Sequence, residues 1–489
     1  MQWILRFQIL FLLVSAAAAA CFGDEISDKN LEAMIGVYST QRLVELNDNE
    51  TYAFQHRDGQ RRVIRLISVE EHRNSVTDLM CRAEVRVEID GRPLDLVCSP
   101  YTMPTETAGL RVLADTTAGW GNIDKKVQLS IWDAEYPLVD INRFGFPLRN
   151  YRLFSQGTQA YNESVHLGLT DGDPNGLKFY HDYGFDQAGY EGREAVVSAT
   201  AGKVALFWPS REDLCSVVIR DENGYFWEYA HLSAVEPEIV LDAPVAKGQK
   251  LGTLGRTGPS GNFSHLHLGS YLTKSDLDQD IRNRRLNLYP WLVAAYQAQH
   301  EKGLTAVARP HRLVLTGEKV RFDGSNSLVW GGAKIVERRW IFHDGRKVEG
   351  DVAEKDFERP GAYVAELWVK DDRGAEDVDF CQVKVYSKSK PEQGMPHLFM
   401  TYTPTENIRP GQAVSFRCWL QGNGGGAIRV DFGDGTVLDD YRPYDELKHA
   451  FKTPGVHVIA AQCEAEGKPI SQKLKVVVEA KPEYAEVPK

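Results

Sequence analysis

Ser264-His265-Leu266-His267-Leu268 is the stretch around which the rest of the chain reads as organised. Residues two apart on a β-strand share a face, so a His-x-His set inside an apolar run aims two imidazoles into one cleft. That arrangement suits a metal, because neutral imidazole is a common zinc ligand and one ring can hold the ion while its neighbour handles protons. Two histidines alone more often mark a surface accident or a satisfied strand pair. Three upstream positions change that balance: His181 and Asp186 in His181-Asp182-Tyr183-Gly184-Phe185-Asp186, and His231 in Tyr229-Ala230-His231-Leu232.

A chain of 489 residues exceeds a single core and suggests about three or four domains. The formal net charge of −11 argues against nucleic acid or an anionic membrane surface as the main partner, since either favours a basic face. Arg6, an apolar run over 7–14 and small residues over 15–20 read as a removable signal peptide, residues 1–20, leading to a secreted, periplasmic or cell-envelope location. That run is too short for a membrane span. Cys21 opens a lipid anchor as the only route to a membrane, the weaker reading because Ala18 stands where lipoprotein signals carry Leu. Export permits disulfides, and the positions suggest Cys81 with Cys98 and Cys418 with Cys463, leaving Cys215 and Cys381 as buried thiols. There is no C-x-x-C pair to suggest a thiolate zinc site or redox centre.

The fold class read from the chain is mainly β. Residues 24–135 form a small β-sandwich-like domain of unassigned role, with alternating runs such as 83–89 ending in the turn pair Asp90-Gly91 and with His56 and His72 standing alone. Residues 136–303 form a second unit of short β-runs, closed by a helix with Pro290 near its first position and Gly303 after its end. Two modules follow, residues 304–387 and 397–480, joined by a Lys-, Ser- and Pro-containing linker. Each reads strand, Asp-Gly turn, strand, Pro-Gly turn, strand, with Asp344-Gly345 and Pro360-Gly361 echoed by Asp434-Gly435 and Pro454-Gly455. This repeat resembles the polycystic-kidney-disease (PKD) Ig-like domain, which implies either spacing or attachment to a polysaccharide or protein ligand.

In the second unit Gly184-Phe185-Asp186, the run 196–202, Tyr229-Ala230-His231-Leu232-Ser233, the run 245–252, Gly255-Arg256-Thr257-Gly258 and His265-Leu266-His267 follow one another in a familiar order. The order resembles that of lysostaphin/LytM-type zinc metallopeptidases. The resemblance implies an antiparallel β peptidase domain in which His181, Asp186 and His267 ligate Zn2+ while His231 and His265 flank the bound water. Three protein ligands leave a fourth position for water or a substrate carbonyl. His265 is then the general base, and His231 orients the water or stabilises the oxyanion. Members of the family cut glycine-containing links in bacterial peptidoglycan or glycine-rich proteins, so the implied substrate is peptidoglycan or a glycine-containing peptide. Others have lost their ligands, so the alternative is a non-catalytic adhesion, scaffold or cell-wall regulator protein.

One feature departs from the family pattern His-x-Gly-x-Asp. His181 and Asp186 are five steps apart, which in a regular strand would send them to opposite faces. The reading therefore expects His181 in a non-strand segment or bulge, with the extra residue absorbed at or before Gly184. Asp182 is read as a solvated loop charge, a rival ligand being the other choice. Gly248 to Gly261 lacks the ending of a phosphate loop and reads as turn chemistry, and Tyr225, Trp227 and Tyr229 read as strand core. Specificity is expected in the loops 208–213 and 275–285.

Overall fold

The computed structural model describes residues 28–480 except 57–58, 122, 167–178, 183, 210–213, 259, 279–285, 390–394 and 423–425. Residues 1–20, read from the sequence as a signal peptide, Cys21 and most of the loops 208–213 and 275–285 lie outside the described residues. The chain is mostly strand with a few short helices. Among the described residues no helix is long and apolar enough to cross a membrane.

Two four-stranded antiparallel sheets make the first unit, one ordered Arg42–Leu46, Val127–Asp133, Leu110–Thr117, Thr105–Thr107 and the other Thr51–Gln55, Arg61–Arg73, Met80–Ile89, Arg92–Cys98. Alternation decides which side of each is buried: Ile64, Leu66, Val85 and Val87 from one sheet meet Val112, Leu129 and Ile131 from the other in one core. Asp90 and Gly91, both at positive φ, form the tight turn between Met80–Ile89 and Arg92–Cys98. Ahead of these strands the chain is helical over Asp28–Tyr38, in a region the sequence reads as mostly β without marking a helix. Leu31, Met34, Ile35 and Tyr38 recur at helical spacing and bury that face in the core of the second unit instead.

The second unit is built on a seven-stranded antiparallel sheet, ordered Pro244–Val245, Gly202–Pro209, Cys215–Asp221, Phe226–Ala230, His265–Tyr271, Phe185–Ala188, Thr158–Gln159. A three-stranded sheet of Ala195–Val197, Lys250–Leu254 and Leu232–Val235 packs beside it. Trp227 and Tyr229 are fully buried strand core. The helix Tyr289–Gln297 begins with proline in its first turn and seats Trp291, Leu292 and Val293 in the same core.

C-terminal to it lie sandwich-like sheets. In the first module Gly361–Asp371 pairs with Glu376–Tyr386 and Ile335–Ile341, around a core of Phe322, Trp340, Leu367 and Val383. In the last, a sheet of His397–Thr403, Ala413–Gln421 and Leu447–Ala450 shares its core with Ile428–Asp431, Val437–Tyr441, Gly455–Ala465 and Lys468–Val478. The two modules are continuous: Ala362 bridges Ile470 in parallel, and Lys475 meets Asp377 at 2.6 Å in an ion pair hidden from solvent.

The expected disulfides do not form. No disulfide joins any of Cys81, Cys98, Cys215, Cys381, Cys418 and Cys463. Cys98 lies opposite Ala83 and is buried in the core, whereas Cys81 sits where the strand register shifts and turns its thiol to the carbonyl of His72. Cys418 and Cys463 belong to facing sheets of the last module, and burial pushes both thiols up. Closeness in sequence, or in one sandwich, does not supply the Cβ vectors a disulfide needs.

Candidate metal centre

Asp186 lies directly opposite His267 in the antiparallel pairing of Phe185–Ala188 with His265–Tyr271. His267 donates from Nδ1 to Asp186 Oδ1 at 2.6 Å, and His265, two residues earlier on the same face, brings Nε2 to 3.4 Å from Asp186 Oδ2. The third member of the group is Asp182. Ligand atoms of Asp182, Asp186 and His267 all lie within 4.8 Å of one another, and the three residues are buried.

The structure thus brings Asp182 to this cluster where the sequence pattern points to His181. His181 ends the short strand Phe179–His181, opposite Ser164, rather than lying in a non-strand segment. Its Nε2–H donates to the Met80 carbonyl of the first unit at 2.9 Å, and its ring is 6.3 Å from that of Trp120. Consecutive residues of an extended chain point to opposite sides, so the conformation that turns Asp182 inward turns His181 outward. The signal was present: Asp182 to Asp186 is the four-step spacing that His181 to Asp186 lacks.

Gly184 makes the convergence possible. A Cβ there would stand 2.4 Å from His267 Cε1 and 2.8 Å from the Leu268 carbonyl, so any side chain would displace the imidazole. Its backbone N–H donates to Asp182 Oδ1 at 2.8 Å and fixes that carboxylate. Burial, and then the facing Asp186 carboxylate, push the Asp182 carboxyl well above the usual carboxylate range. Two carboxylates enclosed together with an imidazole are a costly arrangement without a cation and a suitable one with it, so the donor set fits a divalent ion.

His231 directly follows the strand Phe226–Ala230 and adopts φ +62°, which turns the chain just beyond the pairing of Ala230 with His267. Its ring centroid is 4.5 Å from that of His265 and 6.2 Å from that of His267. His231 donates from Nδ1 to the Thr257 carbonyl at 2.7 Å, and His265 from Nδ1 to the Phe263 carbonyl at 2.8 Å. Each carbonyl fixes a tautomer whose Nε2 accepts protons. Burial, and then the His231 ring, hold the His265 imidazole well below its ordinary value. A neutral acceptor beside a pocket for a cation can do acid–base work on a water there.

Glu70, His72 and Glu84 also come within reach of one another, on the first unit, where no such group was expected. Glu70 and Glu84 are exposed there, and His72 bonds Glu84 at 2.9 Å.

Comparison with known proteins gives two family matches: peptidase family M23 over residues 180–279 and the PKD domain over residues 305–385. An M23 peptidase domain and a PKD domain are therefore present in the chain. Among solved structures, a candidate glycyl-glycine endopeptidase, lytM, from Ruminococcus gnavus is 25% identical, over 30% of this chain and 63% of that one, with a TM-score of 0.20. The antimicrobial peptidase lysostaphin from Staphylococcus simulans is 18% identical over 49% and 96%, with a TM-score of 0.22. A zinc-containing peptidase from Vibrio cholerae is 17% identical over 47% and 82%, with a TM-score of 0.20.

Proposed function

We propose that the chain is an exported zinc-dependent metalloendopeptidase acting on peptide bonds, with peptidoglycan peptides or glycine-containing cross-bridges as its substrate. The observation that carries this reading is the buried convergence of Asp182, Asp186 and His267, with the Nε2 of His265 at 3.4 Å from the same Asp186 carboxylate. Asp182, Asp186 and His267 would hold the ion, which when bound polarises the scissile carbonyl and makes a water acidic enough to attack near neutral pH. His265 takes the proton of the attacking water at Nε2 and returns it to the leaving amine. His231 presents its own Nε2 to the developing charge once protonated, or orients the water before attack. In this reading residues 1–20 direct export, 24–135 and 136–303 are the first two units, and 397–480 is a second PKD-like domain after 304–387. The repeated Asp-Gly and Pro-Gly turns support that last assignment.

A second reading has one observation in its favour. Asp182 in place of an imidazole gives the site an extra negative charge, which weakens the pull of a bound cation on its water and suits a domain that binds without cutting. Metal analysis of the purified protein, with digestion of isolated cell walls in the presence and absence of a chelator, separates the two. The proposal expects bound zinc and new amino ends that vanish with chelator and return with Zn2+. Bound metal without new amino ends, or no metal at all, supports the binding-only reading.

A further inference from the structure

The segment 257–263 does more than connect two strands. Its Thr257 and Phe263 carbonyls accept the Nδ1–H of His231 and of His265, so one loop sets the tautomer and aim of both imidazoles. The Phe263 ring also lies against the His265 ring, centroids 4.6 Å apart and planes 18° from parallel. Such a loop must be held still, because a reacting group displaced by about 1 Å can cost about a hundredfold in rate. At one end Thr257 is tied to the peptidase sheets, its hydroxyl donating to the Leu232 carbonyl and accepting the Cys215 N–H, each at 2.9 Å. Toward Phe263 the backbone holds less firmly, since Gly258, Gly261 and Asn262 all have φ between +61° and +67° and the backbone bonds among the described residues are short turns.

The last module adds the hold at the Asn262–Phe263 end. Phe399 and Trp419 are opposite one another on His397–Thr403 and Ala413–Gln421. Phe399 stacks on Phe263 at 5.7 Å and 25°, and Trp419 stacks behind Phe399 at 5.2 Å and 22°. A column of rings thus runs from His265 through Phe263 and Phe399 to Trp419, crossing from the peptidase unit into the last sandwich. The Trp419 indole N–H donates to the Asn262 carbonyl at 3.2 Å, and Asn262 Nδ2 donates to the Tyr444 hydroxyl at 3.2 Å. Arg256 anchors the same asparagine at 2.7 Å and lies over the Trp419 and Tyr444 rings. Behind Phe263 the peptidase offers Gly157, where a Cβ would come within 3.3 Å of the ring. The ring is gripped between the two units.

We propose that Phe399 and Trp419 are positioning residues for His265 and His231, so that the last module is a working part of the peptidase site. This rests on reading those histidines as the proton-handling pair, and it gives the module a role that is neither spacing nor ligand attachment. Three variants of the full-length, metal-loaded chain test it: Phe399→Ala, Phe399→Tyr and Trp419→Phe. Two readouts are taken, exchange of the ring N–H protons in 15N-histidine-labelled protein and the separation of kcat from KM on wall peptides.

For Phe399→Ala we expect the His265 ring proton to exchange about tenfold or more faster and kcat to fall about tenfold, with KM within about twofold and metal content unchanged. Phe399→Tyr restores most of both. Trp419→Phe keeps the stack but loses the bond to Asn262, giving a smaller loss of about threefold, and it decides the matter if Phe399→Ala does not fold. If the wild-type chain proves inactive, ring-proton exchange alone decides, so the two readings fail separately. Unchanged exchange in folded Phe399→Ala, or in Trp419→Phe where the former does not fold, overturns the proposal. Losses that Phe399→Tyr does not restore also overturn it.

Discussion

The strand His265–Tyr271 and the segment 181–188 lie side by side, Asp186 opposite His267, yet they deliver their side chains by different rules. The first is an unbroken strand, and its alternation puts His265 and His267 on one face. The second is interrupted: one strand ends at His181, another begins at Phe185, and between them the chain turns Asp182 inward. Where the period runs through, counting residues tells which groups meet. Where it breaks, the choice between neighbours passes to what surrounds them. Here the carbonyl of Met80, from a different unit, takes the imidazole and leaves the carboxylate for the cluster.

The comparison can be pressed from both sides. On the regular strand, His265→Ala should leave metal content intact while kcat on wall peptides falls by about 10²–10⁴, the usual contribution of a placed general base. An equal fall in bound metal would show that His265 is a ligand instead. On the interrupted side, Gly184→Ala forces a Cβ into the His267 ring and should weaken metal binding by about 10–100-fold in chelator competition. Gly269→Ala, on the regular strand, meets only ordinary contacts, the nearest at 3.5 Å, and should change affinity far less. Equal effects would mean that the break in the strand does not matter.

A weaker effect follows from pH. Burial holds His265 well below its ordinary value, so its ring stays neutral and able to accept a proton across the neutral range. kcat/KM should therefore change by less than about threefold between pH 6.5 and 8, with the acid limb lying lower. An acid limb at or above pH 7 would count against burial as the controlling influence.

The smallest effect is expected at Glu194, a buried carboxylate apart from the cluster. Burial raises it to about 8. Its folded value lies above the unfolded one, so the folded chain keeps a proton that the unfolded chain releases. Stability should fall as pH rises from the ordinary carboxylate range to about 8 and then level off. Glu194→Gln should flatten that fall, raising Tm relative to the parent at pH 9 and leaving it unchanged at pH 4. A Tm profile unaltered by the substitution would contradict the shift.

These contrasts also explain how much was legible. The sheet-forming runs, the helix opening at Pro290 and the sandwich grammar of the C-terminal modules were readable because alternation, helical spacing and turn residues act locally. The His-x-His pair and Asp186 were readable for the same reason. Asp182 was passed over although its four-step spacing to Asp186 was visible, because nothing in the sequence tells that residues 80 and 181 will touch and draw His181 away. The helix Asp28–Tyr38 had a local signal that the β-reading overlooked, in Leu31, Met34, Ile35 and Tyr38. The cysteines failed for the opposite reason, since a shared domain invited pairs that do not form. The ring column from His265 to Trp419 joins two units and has no signature in either.

The central claim is that Asp182, and not His181, completes the metal centre. Zinc content and affinity of the full chain, measured after dialysis for His181→Ala and Asp182→Ala side by side, test it most directly. The account predicts that His181→Ala keeps its bound metal with affinity within about threefold of the parent, while Asp182→Ala loses about a hundredfold or more. Metal lost from His181→Ala and kept by Asp182→Ala would contradict it.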